Sequence, residues 1–440
     1  MLTACGDDKK SGGDAANGKR LFSALGCKGC HTFAAAGSHG TVGPDLDVAG
    51  PSRATVVNVL KRPRGVMPDF SKKVSVQERE DLAAFVAAKG GKKDTVSAAF
   101  KPDNRSLDTC AKTDFLCVEQ AFGNLTYKEG PKVALAELQS RIESDPGVLQ
   151  QCHRISHLMG GAGLLRYRGS VAQAFVQGSA VCASGYYHGI LERAFAMRPN
   201  EPMSRIAKEL CVDRAISGQP FVRFQCLHGL GHGLMINSGY DMPGSLKVCE
   251  ALADDFEQSS CSGGVFMENF NTSYGTTSKY VRTSDPIYPC NSVAERHKYQ
   301  CYGMVTANIL RITSYDNAQT AHSCLRSERD WVRICFESFG RDMSGIYKDA
   351  GKLRGACRLA KSHESDCLYG AAREIVNADA GSKRAARFCR SVRRGHRAHC
   401  FEGMGSVLHS LKSGDALRDE CRAAAGPSYA AACRLGAGLA

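Results

Sequence analysis

The sequence predicts an all-α chain in two parts, on three observations. Cysteines recur in pairs, Cys249/Cys261, Cys290/Cys301, Cys324/Cys335, Cys357/Cys367, Cys389/Cys400 and Cys421/Cys433, spaced 10–12 residues internally, and the last five pairs start 32–34 residues apart. A fixed period in that range marks stacked supersecondary units. The apolar residues after a second cysteine follow a helical period, with Leu368, Ala371, Ala372, Ile375 and Val376 at i, i+3, i+4, i+7 and i+8. Ahead of the repeats, Cys27-Lys28-Gly29-Cys30-His31 stands among short segments of its own. The expected division is a tether over 1–13, a small helical domain over 14–90, a linker over 91–109 and a disulfide-rich, solenoid-like helical-repeat domain over 110–440.

Along the first part, Asn17–Phe22 reads as a helix with an apolar face, ending by Gly26. The C-x-x-C-H run has the spacing at which two thiols join the vinyl groups of one haem and the following histidine ligates its iron. A zinc or redox CxxC with a histidine behind it is the other reading. Gly43-Pro44-Asp45-Leu46 follows, then Arg64-Gly65-Val66-Met67-Pro68-Asp69-Phe70, then an amphipathic helix over Val76–Lys89 with Leu82, Phe85 and Val86 on one face.

In this order the segments resemble a small bacterial class I cytochrome c over about residues 14–90. The resemblance implies one covalent haem c on Cys27 and Cys30, with His31 as proximal ligand and Met67 as distal ligand. It also implies that the Pro44 carbonyl accepts a hydrogen bond from His31, a bond that fixes the ring. Met67 is the one methionine of the first hundred residues besides Met1; His39 is the competing ligand, at a short span of eight residues from His31. A His/Met-ligated iron has no open site and moves single electrons. Lys28, Lys61, Arg62, Arg64, Lys72 and Lys73 would ring the haem edge and steer an acidic redox partner. Equally, they are solvated surface charges of a chain with net charge +13. Nucleic acid is not an expected partner.

Leu2-Thr3-Ala4-Cys5, followed by Gly6-Asp7-Asp8, resembles a bacterial lipobox, which makes Cys5 the lipidated residue and 6–16 a polar leash. Four residues precede Cys5, so the apolar segment such a motif follows is expected upstream of this sequence. No run of eighteen apolar residues occurs that would span a membrane. The expected location is therefore the periplasm or cell surface, lipid-anchored to a bacterial membrane. Of 21 cysteines, 18 remain once Cys5, Cys27 and Cys30 are set aside, the even number an oxidised framework needs.

Each repeat reads as two helices, of about ten to fourteen residues each, with the cysteines where the tail of one meets the head of the next. A disulfide there closes a loop of about 11 residues, worth roughly 3 kcal/mol by loop entropy. Local bridges are expected within every pair from Cys249 onward, together with 110–117, 152–182 and 211–226. An irregular all-α globule with many bridges is the alternative. Gly185, Gly229, Gly264, Gly370, Gly403 and Gly436 each follow the second cysteine of a pair by three residues, which points to close helix approach.

The early repeats add histidines. His157, His188 and His232 stand five or six residues beyond Cys152, Cys182 and Cys226, with His153, His228 and Glu268 nearby. Later repeats carry Ala307 or Ser406 near that offset. Stacked in register, His157, His188 and His232 would share one wall, and imidazoles with a carboxylate suit iron, copper or zinc. The plainer reading is that the rings pack in the groove and bond backbone or Tyr186 and Tyr187. The expectation is an exported, tethered electron-transfer protein. Its rivals are a haem-coupled oxidoreductase with a second metal site at His157, His188, His228, His232 and Glu268, and a scaffold in which the haem is secondary. No catalytic residue is identifiable.

Overall fold

Asp14 opens the first helix by accepting the Ala16 and Asn17 amide hydrogens, and α1 runs Ala15–Ala24. Gly26, at φ +77°, turns the chain out of it. The computed structural model describes residues 13–39, 46–49, 51, 53–61, 67–68, 70–89, 100–111, 114–273 and 278–439. Described residues up to Lys89 belong to one compact unit and those from Phe100 onward to another.

In the first unit α1, α2 (Arg53–Lys61) and α3 (Val76–Lys89) enclose a core of Phe22, Phe33, Leu60, Phe70, Leu82, Phe85 and Val86. The expected helix over 76–89 has the observed bounds. The Phe22, Phe33 and Phe85 rings meet edge-on or tilted, with centroids 5.2–5.9 Å apart. α1 crosses α3 at Gly18, where a Cβ would fall 2.0 Å from the Asp81 carbonyl oxygen. The Asp81 carboxylate ties the same crossing by accepting from Asp14 N and Asn17 Nδ2, both at 2.7 Å. After His31 the chain makes a two-residue antiparallel ribbon, Thr32–Phe33 with Ser38–His39. Strands this short leave no alternating pattern to read.

The second unit is built of helical hairpins. Its inner helices are α4 (Phe115–Glu129), α5 (Pro146–Arg166), α6 (Gly185–Ala196), α7 (Pro220–Asn237), α8 (Asp255–Phe270), α9 (Val332–Ile346), α10 (Glu364–Asp379), α11 (Arg394–Leu411) and α12 (Ala430–Gly436). They stack in chain order, with Glu295–Tyr302 bridging α8 to α9. Outer helices such as Asn317–Cys324, Ala350–Cys357 and Lys383–Ser391 are 8–9 residues long, while the inner helices that follow them run 15–18, so the repeat is less even than its period implies.

All nine expected disulfides form: 110–117, 152–182, 211–226, 249–261, 290–301, 324–335, 357–367, 389–400 and 421–433. In the regular repeats each joins an outer helix to the first turns of the next inner one. Residues 100–105, within the expected linker, lie against α4. Phe100 is buried beside Gly123 and Tyr127, and Asn124 Nδ2 donates to Asp103 Oδ1 at 2.7 Å.

The recurrent glycines sit where inner helices cross. A Cβ at Gly264 would lie 1.9 Å from the His228 carbonyl oxygen, at Gly370 1.9 Å from that of Glu337, and at Gly436 1.9 Å from that of Glu402. Gly370→Ala should therefore destabilise the unit by roughly 1–3 kcal/mol through overpacking. Gly355→Ala, whose Cβ would meet only the end of Arg358 at 3.5 Å, should hold or raise stability, since alanine is the better helix former. Thermal unfolding of the two variants side by side checks this; equal melting points would contradict the close crossing.

Candidate functional sites

The glycine crossings of the early repeats bring histidines together. His157 lies at the crossing of α5 and α6, where a Cβ at Gly189 would fall 2.0 Å from its carbonyl oxygen; His228 holds the same place at the crossing of α7 and α8, against Gly264. His153 and His157 share a face of α5 one turn apart, as His228 and His232 do on α7, and His188 comes from α6 between them. Ring centroids stand 5.6 Å apart for His157 and His188, and 3.9 Å for His188 and His232, which stack. His228 is 5.8 Å and His153 5.5 Å from His188. All of them are buried except His153, which is half-buried. Tyr186 does not serve the rings; its hydroxyl donates to the Ala174 carbonyl at 3.1 Å.

The hydrogen bonds fix how each ring is used. His153 Nδ1 meets the Cys182 carbonyl at 2.7 Å, His157 Nδ1 meets Glu192 Oε2 at 3.1 Å, and His232 Nδ1 meets Glu268 Oε2 at 2.8 Å. His228 bonds the Ser260 backbone. A carbonyl or carboxylate oxygen only accepts, so His153, His157 and His232 each carry a hydrogen on Nδ1. Burial, then His157, pushes His153 down to about 3, and the same two causes bring His232 to about 3. Burial, then His232, drives both His188 and His228 well below the usual histidine range. These four rings are uncharged at neutral pH. Four of the Nε2 atoms face one another in twos: His157 Nε2 stands 3.2 Å from His153 Nε2, and His232 Nε2 3.4 Å from His228 Nε2. His188, 1 % exposed, has no hydrogen-bond partner at either ring nitrogen among the described residues.

Glu268 is wholly buried and is held by Tyr240 Oη (2.9 Å), Ser273 N (2.8 Å) and Ser273 Oγ (2.6 Å), all of which donate to it. Glu192 is its counterpart and was not evident from the cysteine offsets. The signal that finds it is spacing: Glu192 follows His157 by 35 residues and Glu268 follows His232 by 36, about one repeat in each case.

In the first unit, Cys27–Gly29 makes one 3-10 turn, and the Cys30 and His31 amides both donate to the Cys27 carbonyl, at 3.2 and 3.0 Å. Cys27 and Met67 pack against the same aromatic core. Among the described residues Cys27 and Cys30 are the two cysteines outside disulfides. Burial pushes the Cys27 thiol up to about 11, opposite to the activated thiolate of a redox CxxC. Neither cysteine belongs to a group of described side chains spaced to hold a metal ion. His39 pairs with Thr32 in the ribbon. Lys28, Lys61, Lys72 and Lys73 are exposed. Cys5, Pro44, Arg62 and Arg64 lie outside the described residues.

Residues 13–86 match the family model described as cytochrome c oxidase, cbb3-type, subunit III. The first unit is a c-type cytochrome domain. Such a domain carries covalently bound haem and transfers electrons, and it is typically extracytoplasmic, in keeping with nine disulfides in the unit that follows. The chain matches no curated protein and no solved structure. The cytochrome domain's own residues fit the group: two unpaired, half-buried thiols beside a histidine, with a thioether on the same core. Among the described residues no helix is long and apolar enough to cross a membrane.

Glu268→Ala would leave Tyr240 Oη, the Ser273 amide and His232 Nδ1 without this buried acceptor, at a cost of roughly 1–3 kcal/mol. Chelator-treated protein should therefore melt at a lower temperature with its haem spectrum unchanged. An unaltered melting point would mean that the carboxylate does not organise the histidine chamber.

Proposed function

We propose that the protein is an exported, lipid-tethered electron-transfer protein whose single haem c is held by Cys27 and Cys30 and ligated by His31 and Met67. The observation that carries this is the pair of unpaired cysteines beside His31, with Met67 on the core that Cys27 also touches. Ligation by a thioether favours a raised potential and closes the iron to substrate, so the domain exchanges one electron at a time with its partners. The exposed Lys28, Lys61, Lys72 and Lys73 suit an acidic partner surface.

A second reading concerns the repeat unit. As a pure carrier it would need that unit only as a docking surface. The convergence of His153, His157, His188, His228 and His232, with the Nδ1 hydrogens of His153, His157 and His232 committed to outer acceptors, favours a haem-coupled oxidoreductase in which these residues bind metal. Outer acceptors of this kind are what orient metal-ligating imidazoles.

Met67→Ala tests the haem reading. The low-spin spectrum of a Met-ligated iron should disappear and the sixth position should bind carbon monoxide. An unchanged spectrum would transfer the distal role to another residue, His39 first. The tether rests on Leu2–Cys5 and the polar stretch behind it. Cys5→Ser, expressed behind a complete export signal, should move the protein from the membrane to the soluble fraction; retention in the membrane would refute lipidation at Cys5.

A further inference from the structure

We infer that the histidine chamber is a paired site for two late first-row transition ions, one at His153/His157 and one at His228/His232, with His188 shared between them. This rests on the reading that these histidines bind metal, and it specifies how many ions they take and how.

Each pair already has the geometry of a chelate. Two nitrogens bonded at 2.0–2.1 Å to a tetrahedral ion stand about 3.3 Å apart, and the two Nε2–Nε2 separations are 3.2 and 3.4 Å. In His153, His157 and His232 the Nδ1 hydrogen is directed at an outer acceptor, which leaves Nε2 facing the neighbouring ring. A cation between two such Nε2 atoms takes a lone pair from each. Each pair lies on a single helix turn, so neither depends on the other to form.

His188 supplies the third ligand to both; since an ion binds in the plane of an imidazole ring, binding at the second pair turns His188 out of its stack on His232. One nitrogen each from His153, His157 and His188 lie within 4.8 Å of one another, and so do those from His188, His228 and His232. Two ions that share one ligand residue need a side chain with two donor atoms, and imidazole has two. His188 is fully enclosed and both of its nitrogens lack partners, a costly arrangement for a polar ring unless each finds a ligand. Binding of the second ion displaces the remaining ring proton of His188 to solvent and leaves an imidazolate bridge. The outer shells also come in two sets: Glu192 and the Cys182 carbonyl behind the first pair, Glu268 and the Ser260 backbone behind the second. An all-imidazole ligand set suits copper, zinc, iron or nickel, and copper(II) binds most tightly in that series.

The test loads the full-length haem protein with copper(II), dialyses it, and measures copper per haem, with haem determined as its pyridine complex. Two coppers per haem are expected. His153→Ala/His157→Ala and His228→Ala/His232→Ala should each keep one copper and an unchanged haem spectrum. A second measurement needs no variant: an imidazolate bridge couples the two copper spins, so the low-temperature EPR integral should fall below one spin per copper. One copper per haem, lost in both double variants, would overturn the pairing and leave a single-ion centre. Two coppers with a full spin count would overturn the shared role of His188. No retained copper, with zinc and non-haem iron likewise absent, would overturn metal binding itself.

Discussion

Inner helices of the repeat unit cross with a glycine of one set directly on a carbonyl of the next, and the histidine chamber depends on that contact. At Gly189 and Gly264 a single added methyl group would overlap the His157 and His228 carbonyl oxygens. Backbones this close bring the residue one turn past the glycine within reach of the facing helix. Glu192 and Glu268 stand three and four residues beyond those glycines, and each meets an imidazole of the helix before it. A wider crossing would leave the rings in place along their helices but out of register with their acceptors.

Small residues at the crossings have an energetic consequence. Glycine and alanine bury little apolar area, and glycine weakens the helices that carry it. The disulfides offset this by shortening the loops between outer and inner helices in the unfolded chain. Their positions also matter for the site: 152–182 lies beside His153, and the Cys182 carbonyl accepts from that ring. The framework thus holds the chamber at its edge as well as stabilising the hairpins.

Much of this was legible in the sequence, for physical reasons. The cysteine period and the 3.6-residue apolar period are both local, so the hairpins and their bridges could be read directly, and so could Val76–Lys89 with its buried Leu82, Phe85 and Val86. The glycine that recurs three residues after six of the nine second cysteines announced a close approach. What stayed hidden was register. The crossing glycine is Gly160 in α5, eight residues past Cys152, but Gly231 in α7, five past Cys226, so equal offsets from cysteine do not mark equal places. By backbone position His157 corresponds to His228, not to His232. Hence Glu192 emerged only with the fold, and so did the pairing of His153, read at first only as a neighbour of the cluster, with His157. The Thr32–Phe33 ribbon was beyond reading because two residues carry no period.

On the proposed reading, imidazole nitrogens of the repeat unit coordinate metal directly, their orientation set by Glu192, Glu268 and backbone carbonyls. X-ray absorption at the edge of the retained non-haem metal measures this most directly. Nitrogen scatterers at about 2.0 Å with the outer-shell pattern of several imidazole rings are expected. A shell of sulfur at about 2.3 Å, or of oxygen without imidazole scattering, would place the metal elsewhere and contradict it.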